Sequence, residues 1–555
     1  MNKIFNDFPE VADLFCESDL FFPVNNSNGR TFQLNSFLGS LFSLSPIDTE
    51  PSILGSNIST KTPDDNKKAG LELTKQFSQS YIAEVSKFLL SLLRATEKSK
   101  RLTFKWFCDV ISVNIDRKKT YFNPITVSKI GFLMNISYVL IKVLYESKLL
   151  VEGNLFNFVG EIDPLFALTS FINFSSFEKI SAETYNELLE SKKNVIQSMN
   201  FNLETKFFFV INTIFSLTIR TVESEYLNLK KKFNEFIEMN ATNDPLFKEC
   251  VCTLKAYEAY LKNNEFCKYM LKFTDINISL FFVLNNSKYT QEFLKTKKVL
   301  DSSIMDDLTN YFEHSENKNL SILPLLLVQN VSNVFICLRI ISPQVLISDM
   351  FSVKQFAYFS IIYSSNPNFI TTSHFRAELL DLILFVFSVQ SYEQKLPGCN
   401  ITPFNGLDSL FTSLLQDSFI SNTIIPSLMK SFIDAERMGT PNQFYQKFTN
   451  RSRILSILID IVLKNYKIIY TNKIVEFSNK NVEESVKMIN LLMNDLTYLN
   501  DEAIEKLEQI KKYQDLRDNA AVFALMDEEN KKFEHEKFVN NDRIAKVEIK
   551  VSLIL

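Results

Sequence analysis

The amino-acid sequence predicts an all-α protein. Glycine and proline number only 10 and 15 among 555 residues, so residues that break helices or form tight turns are few. Apolar residues recur at helical spacing in one stretch after another, and short polar joints separate these stretches. A chain of this length exceeds one compact core. Because no predicted helix reads as apolar on all sides, we expect an elongated, irregular α-solenoid.

Composition and charge exclude several function classes. Apolar residues make up 46% of the chain and charged residues 22%, which is typical of a folded protein. The net charge of −4 gives no electrostatic argument for nucleic-acid binding. The seven cysteines form no disulfide framework, which favours a reducing compartment. Cys250, Cys252 and Cys267 lack a fourth ligand nearby, so we interpret them as core thiols and expect no metal and no cofactor.

One stretch is long and apolar enough to be compared with a membrane span. It covers residues 320–341, but Pro324, Asn330 and Arg339 are among the residues that interrupt it. Their polar groups would be unsatisfied in lipid. We therefore expect a buried helix and no membrane partner.

The chain order suggests four regions. Residues 1–50 form an N-terminal segment, and residues 51–70, rich in Ser, Asn, Thr, Pro, Asp and Lys, are expected to be a mobile loop. Residues 71–515 form the predicted helical core. Residues 516–555 are expected to be a charged helical tail, because Asp527–Lys546 is rich in Asp, Glu and Lys.

A helix–turn–helix pattern occupies residues 432–458. Gly439, in the polar turn Met438–Pro441, can adopt the positive φ that ends a helix, and Pro441 suits the start of the next one. Arg451 follows Phe444 and Phe448 at seven and three residues, so it lies on or beside the apolar face. A charge in that position needs a partner. We expect a carboxylate across the turn, either Asp434 or Glu436.

Two segments of the chain, one within residues 432–458 and one at Ile489–Ala503, resemble a known family. The first resembles the core signature of the ubiquitin chain-elongation factors, which are large U-box ubiquitin ligases that extend chains on already ubiquitinated substrates. The second, Ile489–Ala503, resembles another characteristic segment of that family. The residues that carry the resemblance are Asp434, Glu436, Gly439, Phe444, Tyr445, Phe448 and Arg451 in the first segment and Asn494 and Asp495 in the second.

Weaker similarities to the same family lie outside these segments, and together they extend over roughly residues 30–515. Phe37–Pro46 resembles the motif at the start of the core, and Val127–Asn135 resembles the segment that opens a following helix. Ser364–Ile370 and His374–Leu379 resemble a later turn and the helix after it, with Glu378 in place of the usual Lys. Asn114, Asp116 and Arg117 resemble a family turn in which Ile115 replaces Lys. We interpret these three as a helix end whose backbone groups are satisfied by side chains.

The resemblance implies the scaffold core of a ubiquitin ligase that elongates ubiquitin chains for proteasomal degradation, with an armadillo-like or HEAT-like helical rod. The implied partners are an AAA ATPase segregase, ubiquitin-like shuttle proteins, ubiquitinated clients and a ubiquitin-conjugating enzyme, in the cytoplasm and nucleus. The family binds the conjugating enzyme through a U-box, a zinc-free domain.

We find no U-box signal after residue 515, and therefore expect this stretch of chain alone to be inactive in elongation. No catalytic residue is predicted, and the signature positions are interpreted as structural. The alternative is a non-enzymatic α-solenoid adaptor or transport scaffold, which would share the helix content but not the two linked segments.

Overall fold

The computed structural model describes residues 2–22, 28–48, 64–119, 121–147, 155–172, 177, 182–284, 322–365, 370, 373–387, 407–435, 444–459, 467–519, 523 and 528–554. The regular elements in these ranges are helices, which confirms the predicted all-α class. The solenoid arrangement stays a prediction. The chain divides into two compact units, unit 1 with Met1–Ala357 and Phe385–Leu414, and unit 2 with Tyr358–Leu384 and Leu415–Leu555.

Unit 1 contains most of the helices. They are α1 Asn2–Asp7, α2 Pro9–Glu17, α3 Gly29–Asn35, α4 Phe37–Phe42, α5 Asp64–Ala95, α6 Glu97–Asn114, α7 Ile130–Glu146, α8 Leu155–Gly160, α9 Ala182–Ser198, α10 Leu203–Glu238, α11 Pro245–Leu261, α12 Asn264–Leu284, α13 Leu326–Ile341 and α14 Pro343–Ser348. Short 3-10 helices lie at Pro46–Asp48, Ile115–Lys118 and Pro164–Leu168.

The later helices belong to unit 2 or cross the division between the units. They are α15 Met350–Ser365, α16 Ser373–Phe387, α17 Leu407–Leu415, α18 Ser418–Asp434, α19 Phe444–Ile459, α20 Lys467–Lys480, α21 Val482–Asp518 and α22 Glu528–Ile554. In unit 2, α18 packs against α19, α20 and α21, and α22 packs along α21. The helix α21 continues across residue 515, so the predicted core and tail share one helix.

Side-chain caps fix where several helices begin. The Thr96 hydroxyl accepts from the backbone N–H of Ser99, and the Ser99 hydroxyl accepts from that of Thr96, a capping box at the start of α6. Asn202 caps α10 through the N–H of Thr205. Asp417 accepts from the N–H groups of Phe419 and Ile420 at the start of α18. These caps satisfy donors that a helix leaves unpaired in its first turn.

The helix α7 lies in the middle of unit 1. Every residue from Ile130 to Leu144 is buried, so α7 is enclosed on all sides although Asn135, Ser137 and Lys142 interrupt its apolar surface. It contacts α5, α10 and α12. Lys142 is tolerated there because its ammonium lies 2.7 Å from the Glu265 carboxylate.

The apolar stretch at 320–341 forms a buried helix, as predicted, over Leu326–Ile341, and it packs against α10 and α12. The amide nitrogen of the interrupting Asn330 donates to the backbone oxygen of Asn212 at 2.7 Å. Among the described residues, α10 is the helix long and apolar enough to cross a membrane. Of its most apolar stretch of 18 residues, 72% is buried inside the protein. Burial of this extent is what a core helix shows.

The helix α5 begins at Asp64, inside the loop predicted for residues 51–70, so that prediction is wrong for 64–70. Polar composition does not by itself prevent a helix. Lys and Asn cost less than about 0.7 kcal/mol each relative to Ala, and one Gly costs about 1 kcal/mol. Residues 51–63 lie outside the described residues.

Candidate functional site

A buried ion pair joins the two signature segments in unit 2. Nη1 of Arg451, on α19, lies 2.6 Å from Oδ2 of Asp495, on α21. The Arg451 side chain is fully buried and that of Asp495 is 4% exposed. At this distance and burial, each charge depends on the other, because water cannot replace the missing partner.

Arg451 also holds a third helix. Its Nε donates to the backbone oxygen of Phe432, near the end of α18, at 3.2 Å. Its guanidinium lies 5.0 Å from the centre of the Phe432 ring, a favourable cation–π distance. A cation at the C-terminal end of α18 also complements the helix dipole. Arg451 therefore ties together α18, α19 and α21.

Among the described residues, the carboxylate that pairs with Arg451 is not Asp434, one of the two expected from the sequence. The spacing favoured Asp434 or Glu436, across the nearby turn. The structure instead pairs Arg451 with Asp495, and Oδ2 of Asp434 lies 3.5 Å from a guanidinium nitrogen of Arg376. Residues 44 positions apart become neighbours only through tertiary packing. Glu436 and the predicted turn Met438–Pro441, with Gly439, lie outside the described residues.

The remaining signature residues of unit 2 differ in their surroundings. The Phe448 ring stacks on the Tyr498 ring with centroids 5.3 Å apart and planes 6° apart, a second link between α19 and α21. Asn494 is exposed, although Asp495 beside it is buried. Phe444 and Tyr445 lie in the first turn of α19, and their side chains lie outside what the structure describes.

A second buried network surrounds Asn114 in unit 1. The Asn114 side chain accepts from the N–H of Ser128 at 2.7 Å and donates to the Ser128 hydroxyl and to the Val110 carbonyl, both at 2.9 Å. The Ser128 hydroxyl in turn donates to the Gly29 carbonyl at 2.8 Å. Because Asn114 is fully buried, these bonds replace water completely and connect the end of α6 with the loop before α7.

Arg117 and Asp116 follow in the 3-10 turn. A guanidinium nitrogen of Arg117 donates to the Ser128 carbonyl, so Arg117 supports the same loop. Burial lowers the pKa of the Arg117 guanidinium, an effect opposed by the nearby Glu225 and Asp48 carboxylates. Asp116 is exposed and pairs with Lys119 at 2.7 Å. The triplet therefore shapes a helix end, with Asn114 and Arg117 inside the network and Asp116 at its surface.

The 3-10 helix Pro46–Asp48, at the end of the motif that starts the core, packs onto the start of α7. Both Asp48 carboxylate oxygens accept backbone N–H groups, from Gly131 and from Phe132, each at 2.9 Å. Burial raises the pKa of Asp48 to about 6, although these two hydrogen bonds and the positive charge of Lys129 act to lower it. A Cβ on Gly131 would lie 2.7 Å from an Asp48 oxygen, so this contact requires glycine.

Asn135, one turn further along α7, extends the same connection. Its amide nitrogen donates to the carbonyls of Phe42 and Leu44, each at 2.9 Å. Its oxygen accepts from the Tyr260 hydroxyl at 2.8 Å. The segment at 127–135 therefore contacts both the motif at 37–46 and the turn at 114–117.

The cysteines of the described residues are all buried, which decides their chemistry. Burial raises the pKa of Cys16 to about 11 and those of Cys108 and Cys267 to about 12. A thiol with a raised pKa is a poor nucleophile at neutral pH. Cys399 lies outside the described residues. Within the described ranges, no group of three or more His, Cys, Asp or Glu could hold a metal ion.

These features define a class: over the described ranges, a helical protein whose characteristic polar residues hold helices to one another. The chain belongs to the ubiquitin elongating factor core family, whose model matches residues 38–552. This match confirms the family suggested by the sequence segments.

Named relatives agree with this membership. The chain is 21% identical, over 94% of its length and 55% of the relative's, to the E4 ubiquitin-protein ligase UFD2 of Saccharomyces cerevisiae. It is 22% identical to the ubiquitin conjugation factor E4 of Schizosaccharomyces pombe, over 89% of this chain and 48% of that protein. A shorter match, 26% identical over 35% of this chain and 18% of the relative, is to the ubiquitin conjugation factor E4 A of Bos taurus. The chain thus spans about half the length of the first two relatives.

Proposed function

We propose that this chain is the scaffold core of a ubiquitin chain-elongation ligase, acting on substrates that already carry ubiquitin. The observation that carries the proposal is the family match over residues 38–552. The buried pair of Arg451 and Asp495 supports it, because it connects the two segments that resemble the family most. The relatives named as E4 ubiquitin-protein ligase and ubiquitin conjugation factor point to the same reaction.

The proposed division of labour gives the helical core a positioning role. In this role it holds the ubiquitinated substrate while a conjugating enzyme, recruited by a U-box, supplies the activated ubiquitin. The buried thiols of the described residues suit a scaffold that forms no thioester of its own. We propose the AAA ATPase segregase and ubiquitin-like shuttle proteins as further partners, and the cytoplasm and nucleus as the location.

A chimera tests the proposal. Residues 38–552 would replace the matching region of the Saccharomyces cerevisiae relative, and the product would be incubated with activating enzyme, conjugating enzyme, ubiquitin and a substrate that already carries ubiquitin. We expect longer chains than in reactions without the chimera. A chimera carrying Arg451→Met should melt at a lower temperature and lose this activity above that temperature, and one carrying Lys546→Ala should retain it.

A binding experiment separates the alternative function. The chain as it stands would be tested for capture of the ubiquitinated substrate and of the same substrate without ubiquitin. Selective capture together with elongation by the chimera supports the proposal. A well-folded chimera that captures the substrate and never extends its chains would favour the non-enzymatic adaptor, and one that does neither would contradict both.

A further inference from the structure

An open cavity of about 480 Å³ lies in unit 1, and its lining includes neither Asn114 nor Ser128. Its volume is within the range of about 300–1,000 Å³ that is usual for ligand pockets. Helices α5, α6, α7 and α10 contribute its lining.

The inner lining of the cavity is apolar. Leu93, Val143, Leu144 and Phe207 are each at most 4% exposed, so they form a fixed surface of the folded core. Burying an apolar side chain on such a surface is favourable by about 25 cal/mol per Å² removed from water. The cavity therefore suits a ligand with an apolar part about the size of one or two side chains.

The rim of the cavity carries two cations, Arg94 and Lys100, and one carboxylate, Glu97. Arg94 is exposed, and within the described part of the chain its guanidinium has no hydrogen bond or ion pair. Lys100 pairs with Glu97, but Glu97 is 88% exposed, so this pair is screened by water and easily exchanged.

Lys206 reinforces the positive potential. It lies between Leu203 and Phe207 on α10, both of which line the cavity. Its pKa is lowered by burial and by the neighbouring Lys100, and the nearby Glu97 opposes this change. Lys206 does not itself line the cavity, and its ammonium lies 5.6 Å from the centre of the Phe104 ring. An anion that binds at Lys100 would reduce the repulsion between the two cations.

We propose that this cavity is a docking site for an acidic linear peptide of a partner protein, in which a large apolar side chain is flanked by Asp or Glu. The apolar side chain would enter the cavity between α5, α6, α7 and α10, and the flanking carboxylates would contact Arg94 and Lys100. The open mouth suits a side chain carried on a longer chain, since the peptide can continue into solvent. The inference rests on unit 1 alone and is independent of chain-elongation activity.

Fluorescence anisotropy tests the proposal. A labelled short peptide of Asp and Glu with Leu and Phe at its centre would be titrated with the full chain. One reference peptide has Ser in place of Leu and Phe, and another has Lys in place of the acids. We expect binding of the acidic apolar peptide that weakens with added salt, and at least about tenfold weaker binding of both reference peptides.

Three variants locate the site. Arg94→Glu reverses the charge of the unpaired rim residue, and Ser147→Trp fills the cavity from its edge; each should weaken binding by about tenfold or more. Lys248→Glu is the matched control, because it reverses an exposed cation elsewhere in unit 1, and it should bind as the unchanged chain does. Circular dichroism melting would verify that all three remain folded.

Several results would overturn the proposal. These are the absence of binding, equal binding of the peptide that carries Lys, or unchanged affinity of folded Arg94→Glu and Ser147→Trp variants. Octanoate serves as a competitor. If it displaced the peptide at concentrations comparable to those of the peptide itself, the site would recognise small carboxylic acids and not peptides.

Discussion

The buried pair of Arg451 and Asp495 allows a quantitative prediction about unit 2. Arg451→Met keeps most of the side-chain volume against Phe432 but removes the guanidinium, so the Asp495 carboxylate stays buried without its 2.6 Å partner. Breaking a buried pair in this way costs roughly 3–5 kcal/mol. A unit of roughly 150–250 residues shifts in Tm by about 2–4 °C per kcal/mol. We therefore expect the melting of unit 2 to fall by about 6–20 °C.

A double variant isolates the electrostatic cause. Arg451→Met combined with Asp495→Leu removes both charges and leaves apolar groups of similar size, so most of the lost stability should return. Lys546→Ala, which breaks an exposed pair with Asp542 in the same unit, should leave the transition unchanged. Differential scanning calorimetry of the four proteins provides the measurement. If Arg451→Met melts like the unchanged chain, or the double variant is no more stable than the single one, the reasoning is refuted.

Two further predictions concern unit 1. Asn114→Ala leaves the buried N–H of Ser128 without its acceptor, so the free energy of unfolding should fall by about 1–3 kcal/mol. Denaturant titration would measure this loss, with a variant at an exposed site, Asn123→Ala, as the control. Equal losses in both variants would contradict the prediction. Asp275 is fully buried, and burial raises its pKa from 3.8 to about 7. Between about pH 4 and 7 the folded state therefore binds a proton that the unfolded state has released, so stability should decrease as pH rises through this window and level off above it. Tm measured against pH should show a steeper decline than in Asp275→Asn, and parallel profiles would exclude this role.

The helical class and the family could be predicted from the sequence because both depend on local patterns. Few helix breakers and repeated apolar spacing determine helices along the chain itself. The two segments around Arg451 and Asp495 could be matched to the family one at a time, since each is continuous in sequence. The helix end at Asn114 was also readable, because Asn commonly satisfies backbone groups at such positions.

The partners of the polar residues could not be predicted in the same way. Arg451 needed a carboxylate, and local spacing made Asp434 and Glu436 the nearest choices. Nothing in the sequence indicates that Asp495 comes within 2.6 Å, because that distance results from the packing of α18, α19 and α21. The burial of α7 on every side could not be predicted for the same reason, because helices that are distant in sequence cover it.

The sequence by itself thus determined the helices, their approximate order and the family, all of which follow from periodicity and continuous motifs. Only the tertiary structure decided which charges pair, which backbone groups Asn114 and Asp48 satisfy, and where an open cavity forms. The physical reason is that hydrogen bonds and ion pairs require atoms to approach within about 3 Å. Helical periodicity specifies which face of a helix is apolar, but not which distant residue will lie against it.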